Sequence, residues 1–216
     1  MDYTLIRSNR KTLSVRVLPS GSVEVRAPFH FPKTRIEAFL AEKAGWIAEA
    51  QAKCHAISGR LAEGVRLPYL GEFYSLRLRE NAPPGPQDGK LFLPLSPFAK
   101  DAEIRAAAEA FYRAEAKRLL PPLVERLAAA LGVACRGVRV TGARTRWGSC
   151  SAKAGLNFSW RLMAAPPEEI ELVAAHELCH LIHFNHSPAF YAALAGILPD
   201  WKVRTEKLKD YRQLCW

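Results

Sequence analysis

The chain has 216 residues, 49% hydrophobic and 24% charged, with a mean hydropathy of -0.09, which excludes collagen, coiled-coil and disordered classes and fits one sizeable soluble domain or two small ones. Thirty-one Lys and Arg against 21 Asp and Glu give a net charge of +10 and a pI of about 9.6, which permits polyanionic partners without requiring them. No apolar run, Leu127 to Leu131 among them, is long enough for a membrane span; the start Met1-Asp2-Tyr3-Thr4 lacks an export signal, and five cysteines without a CxxC pair argue against a disulfide framework, so the cytoplasm is the expected compartment.

From Thr4 to Ala27 apolar and polar residues alternate around Pro19-Ser20-Gly21-Ser22, which predicts a β-hairpin or meander. Ile36, Phe39, Leu40, Ala44 and Ile47 then recur at helical spacing after Pro32, predicting one helix to about Cys54. Strands are expected near Val65 to Leu70, Phe73 to Arg79 and Leu91 to Leu95, with the proline-rich stretch 81–86 as an exposed loop. A long helix capped by Asp101 is expected to break at Pro121-Pro122, resume, and stop at Gly132. Gly137 to Arg144 and Leu156 to Leu162 read as antiparallel neighbouring strands. Pro166-Pro167-Glu168-Glu169 opens a helix running to about Phe184, and two short helices follow, one at Ser187-Pro188 and one over Lys202 to Leu214. The predicted fold class is α+β: an N-terminal β-rich segment with one helix over 1–98, and over 99–216 a half in which a small antiparallel sheet packs on the helix opened by Pro166.

That helix carries His176-Glu177-Leu178-Cys179-His180. Histidines four residues apart sit ~40° apart around the axis and one turn apart along it, so both imidazoles can reach one metal ion, zinc being the first expectation. Glu177, ~100° further round, is placed to reach a water on the open side of that metal as general base. Chance would place such a pattern only about 0.01 times in a chain of this composition. A catalytic zinc takes a third protein ligand, and His183 and His186 are the candidates. On an unbroken helix His183 lies ~10.5 Å along the axis from His176, whereas a stop at Asn185 followed by Ser187-Pro188 as a new helix start can swing His186 under the metal. His186 is therefore the expected third ligand, with His183 beside it.

The same residues, with Asn185-His186-Ser187-Pro188, Phe190 and the preceding Arg146-Trp147-Gly148-Ser149-Cys150-Ser151, resemble the YgjP-like family of zinc metallopeptidases, akin to the SprT-like and WLM groups within the zincins. Arg7-Ser8-Asn9-Arg10-Lys11-Thr12-Leu13, Gly21, Ala27-Pro28 and Pro199-Asp200-Trp201 extend the likeness over most of the chain. The resemblance implies a zincin-like C-terminal half, zinc as cofactor on His176, His180 and His186, Glu177 as the catalytic glutamate, and peptides or proteins as substrates.

Arg144, Arg146 and Asn157 fall on the two strands expected before the metal helix, where a peptide can add as an extra strand, and the two arginines are candidates to hold a substrate carbonyl or carboxylate. Trp147 reads as a packing residue, Cys150 and Cys179 as small buried hydrophobes, and His30 and His55 as structural or solvent-facing. A second function class stays open. Arg136, Arg139, Arg144, Arg146, Lys153 and Arg161 fall in one stretch free of acids, as on a nucleic-acid-associated protein whose zinc site processes bound proteins or is structural.

Overall fold

The computed structural model describes residues 2–17, 22–55, 60–151 and 153–211. The expected turn at Pro19-Ser20-Gly21, the end of the last helix to Leu214 and the side chain of His55 lie outside the described residues. The chain divides into two compact units, one built on the residues up to Leu61 and one running from Ala62 to Tyr211.

In the first unit β1 (Tyr3–Ser8), β2 (Ser14–Val17) and β3 (Val23–Pro28) form a sheet of order β1-β3-β2. β2 and β3 make the expected hairpin, while β1 pairs parallel with the other edge of β3. The alternation works as its period requires: Val17, Val23, Val25 and Ala27 are buried on Ile36, Leu40 and Ile47. Those three come from two helices rather than one, α1 (Lys33–Glu42) and α2 (Ala44–His55). Lys43 leaves helical dihedrals (φ -93°, ψ 6°), and Gly45 two residues on lowers the propensity to continue.

The second unit begins with β4 (Arg66–Tyr69), β5 (Glu72–Leu78), β6 (Gly85–Gln87) and β7 (Lys90–Leu93), in the order β4-β5-β7-β6. These strands share a compact unit with the elements that follow up to Tyr211. β6 corrects the reading of residues 81–86 as loop alone: Gly85 and Pro86 pair with β7 on the sheet edge, where a proline has no second neighbour to serve.

Helix α3 (Asp101–Leu131) runs unbroken through Pro121 and Pro122, and its N-cap is Lys100, whose N–H donates to Glu103 at 2.7 Å. Both prolines and the residues four positions earlier, Lys117 and Arg118, are exposed, so the carbonyls that lose their helical donors face water. Ile104, Ala108, Phe111, Tyr112, Ala116 and Leu120 form its buried stripe.

β8 (Gly137–Thr141), β9 (Gly148–Cys150) and β10 (Gly155–Ser159) form a mixed sheet of order β8-β10-β9. β10 is antiparallel to β9 but parallel to β8, not antiparallel as the sequence suggested, because β9 turns the chain before it returns at Ala154-Gly155. A 3-10 helix over Trp160–Ala164 leads into α4 (Pro167–Cys179), followed by α5 (Pro188–Ile197) and α6 (Trp201–Tyr211). Trp160 is fully buried and stacks on Tyr112 of α3 at 5.7 Å, and the guanidinium of Arg161 lies 4.1 Å from the Trp160 ring.

The start of α4 is pinned from β4 and β5. Leu70 donates to Met163 and Gly71 to Ala164, and a Cβ on Gly71, at φ +87°, would come within 2.7 Å of Pro166 Cγ. Among the described residues no helix is long and apolar enough to cross a membrane.

Candidate metal centre

α4 opens as its sequence dictates, with Pro166 as N-cap, Pro167 in the first turn and Glu168 and Glu169 at the positive end of the helix dipole. Ile170, Leu172, Val173, Ala174, Ala175 and Leu178 are buried, so hydrophobic packing holds the helix on most of its circumference. The helix stops at Cys179, five residues before the expected end near Phe184. His180 keeps helical dihedrals as C-cap (φ -67°, ψ -15°), so the i,i+4 relation to His176 survives. Ser187 Oγ then accepts from the Phe190 N–H and starts α5 with Pro188 behind it.

This reversal carries His186 back to the helix. The ligand atoms of His176, His180 and His186 all lie within 4.8 Å of one another, the one such group of potential metal ligands among the described residues. Nε2 of His186 is 3.0 Å from Nε2 of His176. Tetrahedral zinc with nitrogen ligands at ~2.0–2.1 Å spaces its donors by roughly 3.4 Å, so the three imidazoles fit such an ion with little adjustment.

Their protonation fits as well. Burial, with His180 and His186 adding to it, pushes the His176 imidazolium down to about 4, and burial lowers His180 too, so both offer neutral lone pairs at neutral pH. The Nδ1 of His180 lies 3.2 Å from the His183 carbonyl, an acceptor, which fixes the proton on Nδ1 and frees Nε2 for a metal. His183 thus orients the His180 ring through its backbone. Phe190, fully buried, packs under all three rings with centroid distances of 4.9, 4.8 and 4.8 Å, and Tyr191 flanks His186 while stacking on Trp201.

Glu177 is only 7% exposed and lies against β9. Burial pushes its carboxyl up to about 7, opposed by a hydrogen bond from the Cys150 backbone N–H and by the charge of Arg146. It faces a cleft of about 420 Å³ that also meets Arg146, Ser149, Cys150, His180 and Phe184. Phe184 is 82% exposed at the rim.

The structure separates the expected substrate residues. Arg144 and Arg146 lie in the bend joining β8 to β9, not on a strand, so they share no strand face. Arg146 lines the cleft, and Asn157 sits on β10 with its Nδ2 donating to Ser149 Oγ at 3.3 Å. Arg144 is exposed and borders neither that cleft nor the smaller one beside it. Arg161 is buried and donates to the Gly142 carbonyl, so it belongs to the packing of the bend. Cys179 is fully buried, and burial pushes its thiol up to about 11. The contributions of Gly148 and of the Cys150 N–H were missed in the sequence, because a three-residue strand after a bend gives no periodic signal; the run Trp147-Gly148-Ser149-Cys150 was its trace.

The YgjP-like, metallopeptidase domain family model matches residues 11–211. Among solved structures, the crystal structure of the metallopeptidase zymogen of Pyrococcus abyssi abylysin is similar at 21% identity and a TM-score of 0.39, over 42% of this chain and 91% of that one. No curated protein matches the sequence.

Proposed function

The chain belongs to the YgjP-like metallopeptidase family, and on that footing we propose that it hydrolyses peptide bonds with zinc held by His176, His180 and His186 and with Glu177 as general base. The observation that carries this reading is the convergence of three imidazole donors within 4.8 Å, with the carboxyl of the residue next to His176 facing the open cleft. Zinc bound there supplies Lewis acidity, polarising a carbonyl and easing the deprotonation of water.

The protein's own groups do the rest. Glu177 takes a proton from the attacking water and returns it to the amine as the C–N bond breaks. The Cys150 N–H holds the carboxyl in place while it does so. Arg146 stands at the cleft wall to receive a substrate carbonyl or carboxylate, with Asn157 beside it on β10, whereas Arg144, outside both clefts, has no such position. β9 is an edge strand beside the cleft, so an extended peptide can pair with its free side. Peptides or proteins are accordingly the substrates. The competing reading, a basic protein on nucleic acid with a structural zinc, draws less support, since Arg161 of the acid-free stretch is buried and a structural site needs no carboxyl beside an open cleft.

Metal removal tests the proposal. Chelator-treated protein should lose peptide hydrolysis and regain it on addition of one equivalent of zinc, and hydrolysis that persists without metal contradicts it.

A further inference from the structure

A second, smaller cleft of about 230 Å³ adjoins the first and shares Arg146, Gly148 and Ser149 with it. Its floor is the polar face of the β8-β10-β9 sheet. Arg139 stands opposite Asn157 in the parallel pair, and Asn157 opposite Ser149 in the antiparallel pair, so the three form one row across the strands, ending at the edge strand β9.

The row presents donors. Asn157 Nδ2 donates to Ser149 Oγ, which leaves the Ser149 hydroxyl proton available to a ligand. The hydroxyls of Thr141 and Ser159 are spent on the carbonyls of Phe158 and Ala143. Arg113, Arg118, Arg126 and Arg204 each sit on a carboxylate, whereas Arg139 and Arg146 form no ion pair among the described residues. No acidic residue occurs between Glu125 and Glu168, so nothing in this stretch neutralises them. Arg139, with no carboxylate on it, the Arg146 guanidinium, whose charge also acts on Glu177, and a hydroxyl around one concavity call for an anion, and its volume lies below the ~300–1,000 Å³ of whole-ligand pockets, the size for one side chain.

We propose that this cleft is a specificity subsite for an aspartate or glutamate side chain of the substrate, so that the protein selects acid-bearing peptides. The inference rests on the peptidase reading. A peptide paired with the free edge of β9 sends alternate side chains to the two faces of the sheet; those on the face away from Glu177 extend the row Arg139, Asn157, Ser149. Arg139 is a specificity residue here and takes no part in the chemistry.

The test uses a pool of synthetic ten-residue peptides randomised over Ala, Leu, Ser, Glu, Gln and Lys. Zinc-loaded wild type is assayed for cleavage, and immobilised zinc-loaded Glu177→Gln for retention, which needs no turnover. Retained peptides should be enriched in Glu over Gln by at least about tenfold, and cleavage sites should carry Glu at one fixed position. Adding Arg139→Glu should exchange that preference for Lys, and Arg139→Gln, a milder change on an exposed strand position, should erase it. No Glu preference among retained peptides, or a preference that survives Arg139→Glu, overturns the subsite. Arg139-dependent retention of Glu peptides without cleavage by wild type keeps the subsite and removes the peptidase reading, whereas cleavage without Glu preference does the opposite. Salt-sensitive retention of a single-stranded DNA 20-mer, lost in Arg139→Glu while no Glu peptide is retained, overturns the proposal in favour of phosphate recognition.

Discussion

Gly148 and Glu177 meet across the space between β9 and α4 so closely that a Cβ on Gly148 would lie 2.7 Å from both Cγ and Oε1 of the glutamate. The missing side chain lets the carboxyl lie flat on the strand, where the next backbone N–H but one, that of Cys150, bonds it. Gly148→Ala should therefore leave zinc bound while displacing the general base, lowering kcat by roughly 10²-fold for a shift near 1 Å. Steady-state kinetics with zinc content measured on the same sample checks this; an unaltered kcat would show that the contact is slack.

The ligand assignment predicts unequal effects within one turn of chain. His186→Ala removes a donor that stands 3.0 Å from His176 and should lose most of the metal, whereas His183→Ala keeps the backbone carbonyl that orients His180 and should retain it. Elemental analysis of protein purified without a metal-affinity tag distinguishes the two. Equal loss contradicts the assignment.

How much of this was written in the sequence depends on the range of the interaction. The imidazole pair, the chain reversal near Asn185 and the Ser187-Pro188 start are local signals, and in the structure His186 stands beside His176 and His180, though α4 ends earlier than its pattern suggests. Local signals failed where tertiary packing decided. Pro121 and Pro122 do not break α3, because the freed carbonyls face solvent while the opposite stripe is buried. β8 and β10 are parallel because the short β9 intervenes, and that strand also carries the backbone of the site. Arg144 and Arg146, expected on a strand, sit in a bend, where the alternation that marks β8 no longer says which way a side chain faces.

Gly71 gives a test of how the site is anchored. It combines φ +87° with a Cβ position 2.7 Å from Pro166 Cγ, so Gly71→Ala should cost about 2–4 kcal/mol from left-handed strain and overpacking together. The loss should appear as a lower urea midpoint with an unchanged m-value. A midpoint equal to that of wild type would mean that the turn between β4 and β5 does not hold the start of α4.

Acid sensitivity should trace in part to Glu115. The Arg118 guanidinium beside it, with the Tyr69 hydroxyl donating as well, holds its carboxyl below the usual carboxylate range despite partial burial. A lowered folded pKa contributes stability above the ordinary value and loses it as pH falls through the folded one. Glu115→Gln should thus be less stable than wild type by about 1 kcal/mol at pH 7, with the gap closing on acidification through the carboxylate range. Urea unfolding at several pH values measures it, and a gap independent of pH would contradict the ion pair's role.

The most direct measurement of the central claim compares zinc-loaded wild type with zinc-loaded Glu177→Gln on a peptide pool in 18O-labelled water, with products read by mass spectrometry. Wild type should generate new C-termini carrying one 18O, and the variant, with the same zinc content, should do so at least about 10²-fold more slowly. An undiminished rate in the variant, or no labelled C-terminus from the zinc-loaded wild type, would contradict hydrolysis with Glu177 as base.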